Sequence, residues 1–314
     1  MTIIQSLFNQ VSAGQKKHFL LSNEFGRLSI YIIKGTVPGP TVWIQAAEHG
    51  DELDGIYAIQ QLVSTVSPRS IHGSIICLPI VNPTAFMIGH NRSPKDNVNL
   101  NRVYTKKSHP NSYSYRYGQW LIESIVSVSN YFIDLHGGGE YLDVASFATI
   151  PDDATAQTRR LVTQYLDIEA VLTGNKQSTA MLIDALTSRG IAALLLESGG
   201  TNQVQPEAIH THITNILTCL CYWHILERIH RLKIYNPRIV KTIQEGYFDS
   251  LGLLQNWQKP GEILIRGEPI ITYNDLKGQQ HEMLTKLAQA IVLSVHTQSL
   301  IRKGQYAFLV GQID

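Results

Sequence analysis

The stretch Thr41-Val42-Trp43-Ile44-Gln45-Ala46-Ala47-Glu48-His49-Gly50-Asp51-Glu52 starts as an apolar run and ends as a polar loop. Its first half suits a buried strand, and the residues after it predict a helix. Across residues 54–63, Ile56, Ile59, Leu62 and Val63 recur at spacings of three and four, which gives one buried face. A buried strand running into an amphipathic helix is the repeating unit of an α/β fold. The same rhythm extends outward. Residues 28–34 alternate and read as a strand, residues 35–40 are Gly/Pro punctuation, and residues 74–80 read as a strand that stops at Asn82-Pro83. Residues 117–128 and 155–166 read as helices, with a strand at 131–135 between them. Residues 191–196 form a continuous apolar run, as a central strand covered on both faces requires. A long helix is expected over 207–232. After Tyr235-Asn236-Pro237 the chain breaks into short alternating pieces separated by glycines, from Gly246 to Gly304. The expected organisation is therefore an α/β domain over residues 1–233 and a small β-rich domain over 234–314.

Composition narrows the classes of function. The chain has 314 residues, of which 44% are hydrophobic and 16% charged, so it is long enough for a large buried core and too apolar for disorder. Twenty-six basic side chains against twenty-five acidic ones leave a formal charge of +1, and no global field that would hold nucleic acid or a membrane surface. The clearest apolar runs, at 75–78 and 191–196, fall far short of the ~18 residues that span a bilayer. The first ten residues lack the features of a secretory leader, so a soluble, cytoplasmic protein is expected. Three cysteines, Cys77, Cys219 and Cys221, are too few and odd in number for a disulfide framework, and reduced, mostly buried thiols are expected.

Four groups of residues could carry chemistry, each at the end of a predicted strand. His49 and Glu52 stand three apart across Gly50, so a bent loop can bring imidazole and carboxylate together as metal ligands. Taken alone they more often describe a loop histidine and a glutamate at a helix N-terminus. His136, in Asp134-Leu135-His136-Gly137-Gly138-Gly139, would add a third ligand and leave a fourth position open, as in catalytic zinc sites. Asp134 could orient it. Arg92 and the amide-rich run Asn97-Val98-Asn99-Leu100-Asn101-Arg102 suit the binding of a carboxylate, or else form a solvated turn. Glu197, at the end of the apolar run, suits a general base or a salt-bridged glutamate. Open α/β sheets bind ligands beyond the carboxyl ends of their strands, so all four groups converge on one edge.

Together, His49-Gly50-Asp51-Glu52-Leu53, Val81-Asn82-Pro83 with Phe86, Arg92 with Asp96 and Asn99-Leu100-Asn101-Arg102, Asp134-Leu135-His136, and Glu197 with Gly199-Gly200 resemble the succinylglutamate desuccinylase/aspartoacylase family of zinc carboxypeptidase-like metallohydrolases. The resemblance runs over about residues 39–232, and the C-terminal segment is similar to the β-rich domain of the family's deacylase branch. It implies a mixed-sheet α/β/α sandwich with a β-rich appendage, and a zinc-dependent amidohydrolase acting on an N-acyl amino acid or similar small amide. His49, Glu52 and His136 would bind one Zn2+ per chain. Glu197 would move the proton, Arg92 would stabilise the oxyanion, and Asn101 with Arg102 would grip a substrate carboxylate. A metallocarboxypeptidase acting on peptides or peptidoglycan fragments is the alternative. The expected partner is a small-molecule substrate, without nucleic acid or membrane, and self-association as a homo-oligomer is left open. Two departures stand out. Glu48 precedes the motif histidine and is expected to add negative charge favouring a cationic substrate, and the loop at 137–143 is unusually glycine-rich. His210 and His212, two apart on a helix, are not expected to form a second metal site. Asp249, Trp257 and Tyr273 are expected in turn or core roles.

Overall fold

A computed structural model of the chain describes residues 1–105, 111–174, 180–227 and 232–313. The strands are β1 (Lys16–Asn23), β2 (Gly26–Lys34), β3 (Val37–Ala46), β4 (His72–Leu78), β5 (Tyr131–His136), β6 (Leu142–Thr149), β7 (Ala170–Leu172) and β8 (Ala192–Gly200). Then come β9 (Arg238–Val240), β10 (Ile243–Tyr247), β11 (Gly252–Trp257), β12 (Ile263–Ile265), β13 (Pro269–Asp275), β14 (Gln280–Leu284), β15 (Gln289–His296), β16 (Leu300–Ile301) and β17 (Tyr306–Gln312). The helices are α1 (Ile3–Asn9), α2 (Asp54–Thr65), α3 (Pro83–Phe86), α4 (Tyr113–Val126), α5 (Ala156–Gln164), α6 (Leu182–Thr187) and α7 (Pro206–Tyr222).

The main sheet runs β1-β2-β4-β3-β5-β8-β6-β15-β17-β10. Its centre, β4, β3, β5 and β8, is parallel, whereas β2 and β6 flank it antiparallel. The sheet is therefore mixed, as expected. Side chains alternate across it with the period of a pleat. Val42, Ile44, Ile133, Leu135, Leu194 and Leu196 pack with α2, α5 and α7 on one face, while Trp43, Ile76, Phe132 and Leu195 pack with α1, α4 and α6 on the other. Burial on both faces is why these strands read as continuous apolar runs.

Two expected boundaries shift. The Gly/Pro punctuation at 35–40 lies partly inside β3, because the prolines interrupt pairing without ending the strand, and the register with β4 slips between Val37 and Thr41. The helix expected to reach residue 232 stops at Tyr222. There Trp223, 2% exposed, stacks on Tyr131 at 4.4 Å and 7°, His224 turns the chain at φ +59°, and Leu226 bridges back to Ile71. Burying the indole ends the helix. The end of that expected helix, residues 228–231, lies outside the described residues.

The C-terminal strands include a four-stranded sheet, β14-β13-β11-β16. The expected boundary after residue 233 is nonetheless crossed by hydrogen bonding, because β15 pairs with β6 and β9 with β7. Phe147, Ala170 and Leu172 share a buried cluster with Val240, Ile291 and Leu293 across that boundary. Among the described residues, no helix is long and apolar enough to cross a membrane. Cys77 and Cys219 are buried, Cys221 is half-buried, and no disulfide links them. Burial pushes the Cys77 thiol up to about 12.

Candidate functional site

The loop leaving β3 is built for close approach. Ala47 takes φ +53°, an uncommon conformation for a residue with a side chain, and is held there by hydrogen bonds from Val81 N to Ala46 O (2.9 Å) and Asn82 N to Ala47 O (3.2 Å). The Asn82 amide also donates to Glu48 O at 2.9 Å. Gly50 presses on α3 so closely that a Cβ there would lie 2.1 Å from the Ala85 carbonyl carbon. This packing turns His49 and Glu52 toward the end of β5.

There they meet His136. His49 Nδ1 lies 2.6 Å from Glu52 Oε1, and His136 Nδ1 lies 2.9 Å from Glu52 Oε2. The other nitrogen of each ring faces an oxygen. His49 Nε2 is 3.1 Å from Asn99 Oδ1, and His136 Nε2 lies 3.4 Å from Asp134 Oδ2 and 3.5 Å from Glu48 Oε2. Asp134 is itself held by Gln45 (3.1 Å), which accepts from Trp43 Nε1 (3.1 Å). Burial opposes charge on the rings, yet Glu52 overcomes it, raising His49 to about 9 and His136 well above its ordinary value. Reciprocally, burial opposes the Glu52 charge, but the two imidazoles hold its carboxyl down at about 2.

These residues fit a divalent cation. Glu52 Oε2 is buried without a hydrogen bond of good geometry, and two imidazoles with a carboxylate are a borderline-soft donor set. Donor atoms of Glu48, His49 and His136 also fall within 4.8 Å of one another. Glu48, however, accepts a hydrogen bond from the Tyr104 hydroxyl and approaches the ring edge of His136 opposite Glu52, so it backs that histidine. This corrects the expectation that Glu48 favours a cationic substrate: the side chain is fully buried behind the ring and does not line the cavity.

Glu197 stands one strand over, paired in register with His136. Burial pushes its carboxyl up to about 8 against the pull of His136. It lines a cavity of about 850 Å³ together with His49, Glu52, Arg92, Asn99 and Arg102. Both arginines are exposed, with Arg92 Nη1 on Asn97 O at 3.1 Å and Arg102 Nη1 on Asn101 O at 2.7 Å. Asn101 is placed differently. It is 2% exposed, its Oδ1 accepts from Leu182 N at 3.1 Å, and it does not line the cavity.

Several cavity residues escaped the sequence reading. Asp184 caps its own helix through Met181 N (3.1 Å), and burial, aided by Asp153 and Asp152, raises its carboxyl to about 6. Tyr141 follows the glycine loop, whose Glu140 N donates to Asp51 Oδ2 at 3.0 Å. Glu245, Tyr247, His296 and Tyr306 come from the C-terminal strands, which therefore wall the cavity. None of Asp249, Trp257 and Tyr273 reaches it, and Tyr273 is a core residue bonded to Asp249. His212 is buried, and His210 lies on the exposed side, where it faces Thr214 at 3.5 Å.

Residues 38–222 match the family model of the succinylglutamate desuccinylase/aspartoacylase catalytic domain. A relative from Halomonas elongata, N-alpha-acetyl-L-2,4-diaminobutyric acid deacetylase, is 29% identical over 193 residues, 60% of this chain. The match spans 56% of that relative's length. Among solved structures, the product-bound ectoine utilization protein EutE (DoeB) from Ruegeria pomeroyi superposes with a TM-score of 0.82 at 20% identity, covering 96% of this chain and 98% of that one. A succinylglutamate desuccinylase from Silicibacter sp. TM1040 gives 0.80 at 19% identity, covering 97% and 98%. At these identities the structural likeness establishes the fold.

Proposed function

Because the chain belongs to the succinylglutamate desuccinylase/aspartoacylase family, we propose that it is a zinc-dependent deacylase that hydrolyses the amide bond of a small N-acyl amino acid, with Nα-acetylated diamino acids as the substrate class. The observation that carries this reading is the convergence of His49 Nδ1 and His136 Nδ1 on the two oxygens of Glu52, with His49 and Glu52 in the wall of a cavity of small-molecule size. The diamino acid follows from the deacetylase relative and from a cavity rich in carboxylates.

In this reading His49, Glu52 and His136 hold one zinc ion. Bound there, zinc would supply Lewis acidity toward the scissile carbonyl and would lower the pKa of water toward about 7. Glu197, beside His136 at the end of β8, takes a proton from the attacking water and passes it to the departing amine. Arg92 offers its guanidinium to the oxygen on which negative charge grows. Arg102 pairs with the substrate carboxylate. Asn101 is left out of the binding set because its oxygen is committed to α6. The cavity is walled on one side by the C-terminal strands, and this favours a small substrate over a peptide chain and so a deacylase over a carboxypeptidase. A cytoplasmic place of action accords with cysteines kept as buried thiols.

The test is release of free amine from a panel of N-acetyl, N-succinyl and N-formyl amino acids and short peptides. Turnover of one acyl series, led by acetylated diamino acids, is expected. Cleavage of peptides alone would replace the deacylase with a carboxypeptidase.

A further inference from the structure

The residues assigned so far stand on the catalytic strands or the loops between them. His296 does not. It ends β15, is 1% exposed, and lies in the cavity wall, yet neither ring nitrogen makes a hydrogen bond among the described residues. Leaving a buried polar group unpartnered is costly, so such a group in a binding cavity points to a partner that arrives with the ligand. The ring is already fixed. It lies parallel to Tyr141, with centroids 5.9 Å apart and planes 4° apart, and edge-on to Phe248 at 5.2 Å. Burial holds the imidazole below its ordinary pKa, against the opposing pull of nearby backbone groups of Tyr306 and Gln298, and a neutral imidazole keeps one acceptor nitrogen.

Topology says which part of a substrate it meets. In the order β5-β8-β6-β15, His296 is two strands from Glu197, about 10 Å across the sheet at strand spacing. The register separates them further along the strands, since His296 pairs with Leu142 and Glu197 with Phe147. His296 is too far away to touch the reacting amide and is placed for the far end of the substrate. The cavity supplies the sign of that end: Asp152, Asp153, Asp184 and Glu245 outnumber Arg92 and Arg102, so a group that donates N–H or carries positive charge is favoured.

We propose that His296 is a specificity-determining residue that accepts a hydrogen bond from a second, non-reacting nitrogen on the amine half of the substrate. This assignment rests on the deacylase reading, and its test separates the two. The substrates are Nα-acetyl-2,4-diaminobutyrate, Nα-acetylornithine and Nα-acetyllysine, each paired with the apolar isostere that lacks the terminal amine. For wild type, His296→Phe and His296→Gln, the readout is the ratio of kcat/KM between amine and isostere. The Phe variant should lower the ratio roughly three- to tenfold, the range of a hydrogen bond lost in a buried site, and do so through KM. The Gln variant, which restores an acceptor, should recover much of it. An unchanged ratio, or equal loss on amine and isostere, overturns the proposal. If wild type cleaves none of these substrates, the deacylase reading fails by itself. Calorimetric binding of the free diamino acids to wild type and His296→Phe then decides His296: weaker binding by the variant upholds it, and equal affinity overturns it.

Discussion

Each imidazole of the candidate centre has one nitrogen turned to outer oxygens and one turned to Glu52. Asn99 holds Nε2 of His49, and Asp134 with Glu48 backs Nε2 of His136, so both Nδ1 atoms are left facing Glu52. This is the arrangement in which outer partners fix the tautomer and aim of metal-ligating rings. Glu197 lies outside that set of donors. Glu197→Gln should therefore lower kcat by at least about a hundredfold while leaving bound zinc unchanged. Activity assay with metal analysis on one sample checks this, and wild-type-like turnover would remove its role as base. Asp184 supplies a pH dependence. Its carboxyl is raised from 3.8 to about 6, so it gains charge as pH rises through that value. KM for a cationic substrate should fall between pH 5 and 7, and Asp184→Asn should flatten that step; equal pH profiles would contradict the role. The same shift acts on folding with its own sign: the stability it confers is present below the ordinary carboxyl pKa of about 4 and is lost as pH rises through about 6.

The elements that carry the site are joined by contacts too tight for larger residues. Gly50 lets the loop after β3 lie against α3, and a methyl group added there would meet the Ala85 backbone at 2.1 Å. Gly50→Ala should cost about 1–3 kcal/mol of stability and weaken metal binding with it, since His49 is the preceding residue. Thermal unfolding with and without added zinc reads both effects, and an unperturbed variant would show that the loop has slack. Elements of this kind were legible in the sequence where both faces are covered. Thr41 to Ala46 and Leu194 to Leu196 announce themselves as apolar runs because helices pack above and below them. The end of α7 was not legible, because it depends on where Trp223 stacks, a contact with Tyr131 some ninety residues earlier in the chain.

Over the whole molecule, one sheet runs from the N-terminal hairpin into the C-terminal strands. The pairing of β15 with β6 brings His296 and Ser294 to the cavity, and β10 and β17 bring Glu245 and Tyr306. None of this was legible in the sequence. His49, Glu52, His136 and Glu197, which the structure brings close together, were candidates in the sequence because each lies at or shortly after the end of a strand that its own neighbours define. His296 closes an ordinary apolar strand and becomes a cavity residue only through pairing with residues about 150 positions away. Removing residues 234–314 should accordingly leave no stable catalytic unit, because it bares the edge of β6 and uncovers Phe147, Ala170 and Leu172. Cooperative unfolding of such a fragment in solution would contradict the shared sheet. The most direct test of the metal-dependent deacylase is a zinc titration of the chelator-stripped protein, followed by hydrolysis of Nα-acetyl-2,4-diaminobutyrate. Activity should be absent without metal, rise in proportion to added zinc, saturate at one equivalent per chain, and stay absent in His136→Ala, whereas full turnover by the stripped protein would contradict it.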